Sequence, residues 1–287
     1  MPVRPTLGAR LGFAWGAVWV LVWTMIFSPC VVIHSALVPG AKTFKLWAGL
    51  WGRIILFGMG VRWRAEDRAR LTPGQPVVFA VNHQNSIDIL VASAAIPYPF
   101  GFAAKAGLRK LPFIGWVLGR TACIFVDRST PRRAAESLVE AAERIRHGDA
   151  VLLYPEGGRS FSSTLDPFQR GAFVLAVKAG VPLVPVALVG DHALLDERRG
   201  LFRPGRVRVV IGEPIMMEGR RAADVPALME GVRVWMQHEI DRGPVPAADA
   251  PAAPPPALRA PTEAPAIAPA EGSGEAPSAP PAAPADA

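Results

Sequence analysis

The sequence predicts an α/β fold: a mostly parallel sheet flanked by helices, preceded by an apolar helical membrane-attachment motif and followed by a disordered tail. Three observations predict it. Short β-rich runs alternate with helical runs between residues 60 and 243, an uncharged apolar run fills residues 11–28, and residues 244–287 are dominated by Pro and Ala. Strands alternating with helices form parallel sheets with helical crossovers. The 287 residues therefore divide into attachment helices (1–58), an α/β domain (59–243) and a tail (244–287).

The run LGFAWGAVWVLVWTMIFS carries no charge. As a helix it reaches roughly 27 Å, near the ~30 Å hydrocarbon core of a bilayer. Pro29 is expected to interrupt it. A second apolar run around Trp47, Leu50, Trp51 and Ile54 carries Lys42, Lys45 and Arg53, which reads as an amphipathic interfacial helix. A cleaved signal peptide is the rival reading, because Arg4 and Arg10 precede the first run. Against it, apolar character resumes after Pro29 instead of ending at a small-residue cleavage site. Lys42, Lys45, Arg53, Arg62 and Arg64 outweigh Arg4 and Arg10. That bias puts the body of the protein on the cytoplasmic face of the inner membrane.

Strands are expected at 61–65, 77–81, 100–104, 123–127, 151–154, 183–189 and 207–211, with helices at 86–96, 132–147, 168–179 and 225–240. In the second of these helices Ala135, Leu138, Val139, Ala142 and Ile145 recur at helical spacing. Pro182 and Pro185 break the apolar run 181–186, which suggests an edge or irregular strand. The tail holds 13 prolines and buries too little apolar surface to offset the entropy of ordering it. It carries one Arg against five acidic residues, so with a chain total of +7 the preceding 243 residues hold a net +11. A basic body beside an apolar N-terminus fits an anionic membrane surface or a phosphorylated substrate. The basic residues are scattered and carry no nucleic-acid motif, so no nucleic-acid partner is expected. Cys30 and Cys123 lie in apolar stretches and read as buried free thiols. Five histidines are spread along the chain without ligand spacing, so no metal is expected.

Each chemistry-bearing motif begins where an expected strand ends, the usual place for ligands in such sheets. The 77–81 strand runs into Asn82-His83-Gln84-Asn85-Ser86-Ile87-Asp88. Ser86 is a natural N-cap, and Asp88 falls in the first helical turn, where the dipole favours a carboxylate. Across such a corner Asp88 can fold back onto the imidazole, fix its tautomer and leave the other nitrogen as a base. A capping Asp beside an ordinary turn His is the bland alternative. Arg128 follows the 123–127 strand and is placed either to hold a phosphate or to pair with Asp127. Tyr154-Pro155-Glu156-Gly157-Gly158-Arg159-Ser160 supplies two glycines and an Arg that suit a phosphate, without the lysine or spacing of a P-loop. Asp191, His192 and Asp196 form a second His/carboxylate grouping, read as a loop without a catalytic role.

Taken in this order, the blocks resemble the glycerolipid acyltransferase family, specifically its 1-acylglycerol-3-phosphate acyltransferases. The His-x-x-x-x-Asp block resembles 82–88, the strand-Asp-Arg block 124–128, the Pro-Glu-Gly-Thr-Arg block 154–160 and the proline-broken block 181–186. A Lys followed by an apolar Pro-x-x-Gly run resembles Lys105, Leu108, Pro112 and Gly115. The resemblance covers roughly residues 45–215. Gly158 stands where the family usually has Thr, and Cys123 where a Gly-containing sequence is common.

The resemblance implies transfer of a fatty acyl group from acyl-CoA or acyl carrier protein to the sn-2 hydroxyl of lysophosphatidic acid. It implies His83 as general base and Asp88 as its orienting partner. Arg128, Glu156, Gly157, Gly158 and Arg159, with Lys105, would bind the substrate phosphate. No cofactor or metal is implied, and the expected partners are membrane lipid, the lysophospholipid acceptor and the donor. Transfer to another lysolipid acceptor, thioester hydrolysis and a non-catalytic lipid-binding role are the competing readings.

Overall fold

A computed structural model describes residues 4–244, apart from 39, 111–113, 120–122 and 128. The tail expected over 244–287 lies outside them, save Pro244. In chain order the elements are α1 (Leu7–Leu37), α2 (Ala41–Gly58), β1 (Val61–Glu66), β2 (Val78–Val81), α3 (Ile87–Ala95), β3 (Gly101–Lys105), α4 (Ile114–Gly119), β4 (Ile124–Val126), α5 (Pro131–Arg146), β5 (Val151–Leu153), α6 (Gly171–Ala179), β6 (Leu183–Val189), β7 (Leu195–Asp196), β8 (Leu201–Phe202), β9 (Gly205–Ile211) and α7 (Val225–Asp241).

Seven strands form one sheet in the order β1-β9-β6-β2-β5-β3-β4. Neighbouring strands are parallel except β6 and β9, which run antiparallel. The expected α/β class therefore holds. Alternate residues of each strand feed the two faces, the period-2 geometry of a sheet. Val78, Ala80, Val151 and Leu153 pack with residues of α5, α6 and α7 on one face. Phe79, Val81, Leu152 and Val184 pack with α2 and α3 on the other. Both faces are covered, as mostly parallel sheets require.

Against expectation, β6 is a central, fully buried strand between β9 and β2. Its prolines fit because neither removes a ladder donor. Pro182 precedes the strand and only accepts, from the Val78 amide at 3.0 Å. Pro185 accepts from Gly212 N at 2.8 Å, between the last β6–β9 pair at Ile211 and the separate bridge of Leu183 with Ile215, so the N–H it lacks falls where that ladder is interrupted. A Cβ on residue 212 would sit 2.7 Å from the Pro185 ring, so glycine is required there.

The first helix also differs from expectation. It passes through Pro29 unbroken. Proline removes one intrahelical donor. The acceptor it strands is the Met25 carbonyl, and on either side of it Ser28 Oγ and Cys30 Sγ donate to the carbonyls of Thr24 and Ile26 at 2.7 and 3.6 Å. Thr6 caps the start by accepting from Ala9 N. The helix extends about 46 Å. It is the one helix among the described residues long and apolar enough to cross a membrane.

Tryptophans zip α1 to α2. Trp15 and Trp19 donate to the carbonyls of Gly58 and Ile54, and Trp51 donates to Thr24 Oγ1. The outer side of α1 stays apolar and exposed at Leu11, Val18, Leu21, Val22, Met25 and Ile33. Such a surface needs a non-aqueous partner. Meanwhile α2 belongs to the core, since Ile55 and Leu56 are fully buried. A Cβ at Gly52 would lie 2.7 Å from the Leu90 carbonyl, so glycine lets α2 approach α3 backbone to backbone.

Candidate active site

The strand order brings the motifs together. β2, β5 and β6 are neighbours, so the segments leaving their carboxyl ends, at Asn82, Tyr154 and Gly190, converge on one edge. Asn82 is buried and extends the β2–β6 ladder with its side chain: Nδ2 donates to Leu188 O at 2.9 Å and Oδ1 accepts from Leu188 N at 2.7 Å. From that anchor the chain turns sharply. Asp88 Oδ2 accepts from the Gln84 and Asn85 amides at 2.6 and 3.0 Å and lies 2.8 Å from His83 Nδ1. Residues five apart thus meet, as the corner geometry requires. Ser86 does not cap α3: its backbone is already helical, and its hydroxyl instead accepts from Arg159. Asn85 does the capping, with Oδ1 accepting from Ile87 N at 2.9 Å.

The loop after β5 clamps this corner. Ser160 N and Phe161 N donate to the carbonyls of His83 and Gln84 at 2.9 and 3.1 Å, a short ladder beyond the sheet. Glu156 accepts from His83 N at 2.6 Å and from Asp166 N at 3.0 Å. Its carboxylate is therefore spent on loop geometry. The Tyr154 ring stacks on the imidazole at 4.0 Å between centroids. With Nδ1 facing Asp88, the imidazole has Nε2 left for a substrate.

Burial sets the protonation states. It disfavours the imidazolium and lowers His83 to about 4, opposed by Glu156, Asp191 and Glu197 and reinforced by Arg159. It raises Asp88 to about 6, opposed by a hydrogen bond with Asp191 and by the Asn85 and Gln84 amides. At neutral pH a neutral imidazole therefore faces a carboxylate, the resting state of a general base.

His83 borders a cavity of about 740 Å³ whose walls include Ala103, Val126, Tyr154, Gly157, Gly158 and Arg159. Gly157 sits at φ +75°, where a side chain would be strained. Arg159 donates to Ser86 Oγ at 2.9 Å and pairs with Glu197. Lys105 ends β3, and only its backbone is described; Arg128 and Pro112 lie outside the described residues. Asp127, next to Arg128, pairs with Arg133 at 3.5 Å. A second, apolar cavity of about 280 Å³ lies between α1, α2 and α3, lined by Phe27, Val31, Trp47, Ile89 and Phe102 among others. Phe102 stacks on Tyr154 at 6.4 Å, so two aromatic rings stand between the apolar cavity and His83. Among the described residues no group of three or more His, Cys, Asp or Glu is placed to hold a metal.

Three participants were not singled out as site residues in the sequence. Tyr154 hides inside a motif valued for its glycines. Glu197 sits in the β7–β8 hairpin, which no strand pattern announced. Asp191 belongs to the grouping read as an ordinary loop, yet it is fully buried against Asp88. Its one available signal is position: it follows Gly190 at the end of a strand that adjoins β2.

A doubly covered α/β sheet with a His–carboxylate pair at its strand ends, beside one polar and one apolar cavity, is an arrangement able to support base-catalysed group transfer. The Acyltransferase family model matches residues 62–189. An uncharacterized acyltransferase of Schizosaccharomyces pombe is 31% identical over 69% of this chain and 71% of its own. This chain belongs to the acyltransferase family. It is also 33% identical to the 1-acyl-sn-glycerol-3-phosphate acyltransferase beta of Homo sapiens, over 63% of this chain and 66% of that one. For the 1-acyl-sn-glycerol-3-phosphate acyltransferase of Saccharomyces cerevisiae the identity is 31%, over 63% and 60%. The fold matches the crystal structure of the 1-acyl-sn-glycerophosphate acyltransferase PlsC from Thermotoga maritima, with a TM-score of 0.69 at 23% identity over 82% of this chain and 96% of that one.

Proposed function

We propose that the protein transfers a fatty acyl group from an acyl thioester to the sn-2 hydroxyl of lysophosphatidic acid, giving phosphatidic acid at a membrane surface. The His83–Asp88 pair, held at 2.8 Å with His83 on the wall of the polar cavity, carries this reading. His83 Nε2 takes the proton of the acceptor hydroxyl as its oxygen attacks the thioester carbonyl. The tetrahedral intermediate then expels the thiolate, which leaves with that proton. Asp88 keeps the tautomer and stabilises the imidazolium between the two steps.

The acceptor's phosphate would meet Arg159 and the backbone of Gly157 and Gly158, and Arg128 and Lys105, which lie in sequence at the ends of the β4 and β3 runs, are the further phosphate-binding candidates. Glu156 supports that loop through its two backbone hydrogen bonds. A hydrocarbon chain suits the apolar cavity. The donor is acyl-CoA or acyl carrier protein. The three functional divisions, 1–58, 59–243 and 244–287, stand as part of this proposal. So does the placement of the active site on the cytoplasmic face of the inner membrane, with the exposed side of α1 in lipid.

One observation favours a second acceptor class. Glu197 already neutralises Arg159, and a carboxylate at the phosphate site suits a zwitterionic lysolipid better than a dianion. Labelled acyl-CoA supplied with a panel of lysolipids in detergent micelles decides between them. Lysophosphatidic acid as the preferred acceptor supports the main reading. Preference for an amino-headgroup lysolipid replaces it, and fast release of free fatty acid that no lysolipid diverts makes the protein a hydrolase.

The acid limb of kcat/KM is expected near pH 6, falling about tenfold per pH unit below it. Asp88, raised to about 6, then protonates and no longer supports the imidazolium. The limb belongs to the coupled pair. A pH–rate profile checks it, and a limb at pH 4.5 or lower contradicts it.

A further inference from the structure

Behind the pair lies a third acid that the reaction as derived does not use. Asp191 follows Gly190, whose φ of +98° turns the chain out of β6. The turn is fixed from the catalytic corner, since Asn85 Nδ2 donates to Asp191 O at 3.0 Å. Asp191 is fully buried, and its carboxyl lies within hydrogen-bonding reach of the Asp88 carboxyl. Asp88 Oδ1 and both Asp191 side-chain oxygens make no hydrogen bond to a donor of another residue among the described residues, and Asp191 has only its own amide to lean on. Asp88 Oδ2, in contrast, is saturated by the Gln84 amide, the Asn85 amide and the imidazole. Two buried carboxylates in contact, with no donor from another residue for the facing oxygens, repel each other strongly. One shared proton turns that repulsion into a hydrogen bond.

We propose that Asp191 is a positioning residue of the transfer reaction: its protonated carboxyl donates to Asp88 Oδ1 and keeps Asp88 an ionised, evenly loaded partner for His83. This rests on the reading of His83 as the base. Ownership of the proton follows from the surroundings. Asp88 has two backbone amides and the imidazole to stabilise its charge, whereas Asp191 has no comparable donors, and burial together with the Asp88 charge pushes it well above the usual carboxylate range. The other ionisable groups facing this cluster are Tyr154 beside both acids, Glu156 and Arg159 from the loop after β5, Glu197 from the β7–β8 hairpin and His192 on the same turn as Asp191. None donates to the facing oxygens. The consequence is a tuned base. A donor on Oδ1 draws charge from Oδ2, so the imidazolium is held less tightly and returns its proton more readily to the departing thiolate.

The test uses the full chain in micelles with the acceptor the parent prefers. Asp191→Asn keeps a donor without a titratable proton, and Asp191→Leu keeps the volume without a donor. In the leucine variant Asp88 binds protons more readily and stabilises the imidazolium more. The acid limb of kcat/KM and the NMR titration of the His83 ring should both move up by roughly one pH unit. With a hydrogen bond to a charged group lost, kcat/KM should fall about ten- to a hundredfold. Asp191→Asn should restore both the limb and the rate to within about threefold of the parent. A limb that moves down in both variants means Asp191 is ionised and overturns the proposal. So does a limb unmoved in the leucine variant, which would make the residue a mere filler. Should Asp191→Leu fail to fold, the infrared difference between parent and Asp191→Asn decides: a protonated-carboxyl C=O stretch at neutral pH supports the proposal, and its absence overturns it. Failure of the His83 reading shows separately, as transfer untouched by His83→Ala.

Discussion

His83→Ala is expected to lower kcat/KM for acyl transfer by roughly three orders of magnitude, the range for loss of a general base. The fold should survive, because the corner does not depend on the imidazole. Asn82 is locked to Leu188, Ser160 and Phe161 hold the carbonyls of residues 83 and 84, and Asp88 still accepts from two backbone amides. The ring is nearly buried, with 13% of the side chain exposed, so its removal leaves a small cavity against Tyr154. That costs about 1–3 kcal/mol, within what a domain of this size tolerates. Transfer rates in micelles, read beside the melting temperature and circular dichroism, separate chemistry from folding. A folded variant with parental activity would remove His83 from the mechanism.

Arg208→Leu is expected to cost stability on a comparable scale while leaving the catalytic corner alone. Arg208 lies on β9 with 2% of its side chain exposed. It pairs with Glu66 at 3.2 Å and Glu239 at 2.9 Å, and donates to the carbonyls of Glu239 and Gly243. One guanidinium thus joins β1, β9 and the end of α7. Removing it leaves Glu239, itself 6% exposed at the side chain, with Arg242 alone at 3.1 Å. An uncompensated buried charge costs about 3–5 kcal/mol, and Arg242 should hold the loss near the lower end. Adding Glu239→Leu should recover part of it, since two well-packed apolar residues rival a buried ion pair. Denaturant titration of the single and double variants measures both effects. An additive double variant would show that the pair is not coupled.

Most of the sheet could be read from the sequence because its strands are short, β-branched and separated by helical periodicity. What could not be read depends on contacts between distant segments. Pro185 signals an edge strand locally, and only the interruption of the ladder at Gly212 makes a central position tolerable. Pro29 signals a helix end locally, but α1 runs on through it alongside α2. The His83–Asp88 contact was legible because both residues lie in one corner. Asp191 was not, since its meaning arises only when β6 is placed beside β2, 106 residues away in hydrogen-bonded pairs such as Asn85 and Asp191. Glu197 reaches Arg159 from a hairpin of two-residue strands that carry no hydrophobic pattern.

The paired hydrogen bonds of Asn82 have a further consequence, for breathing motions. Because this side chain takes the place of a peptide in the β2–β6 ladder, the corner that bears His83 cannot swing away without exposing the Leu188 amide in the middle of the sheet. Small local openings are therefore closed to it, and its amides should exchange with solvent deuterium only through openings that also disrupt the sheet centre. The segment that carries the proposed base is thus expected to be among the slowest to exchange.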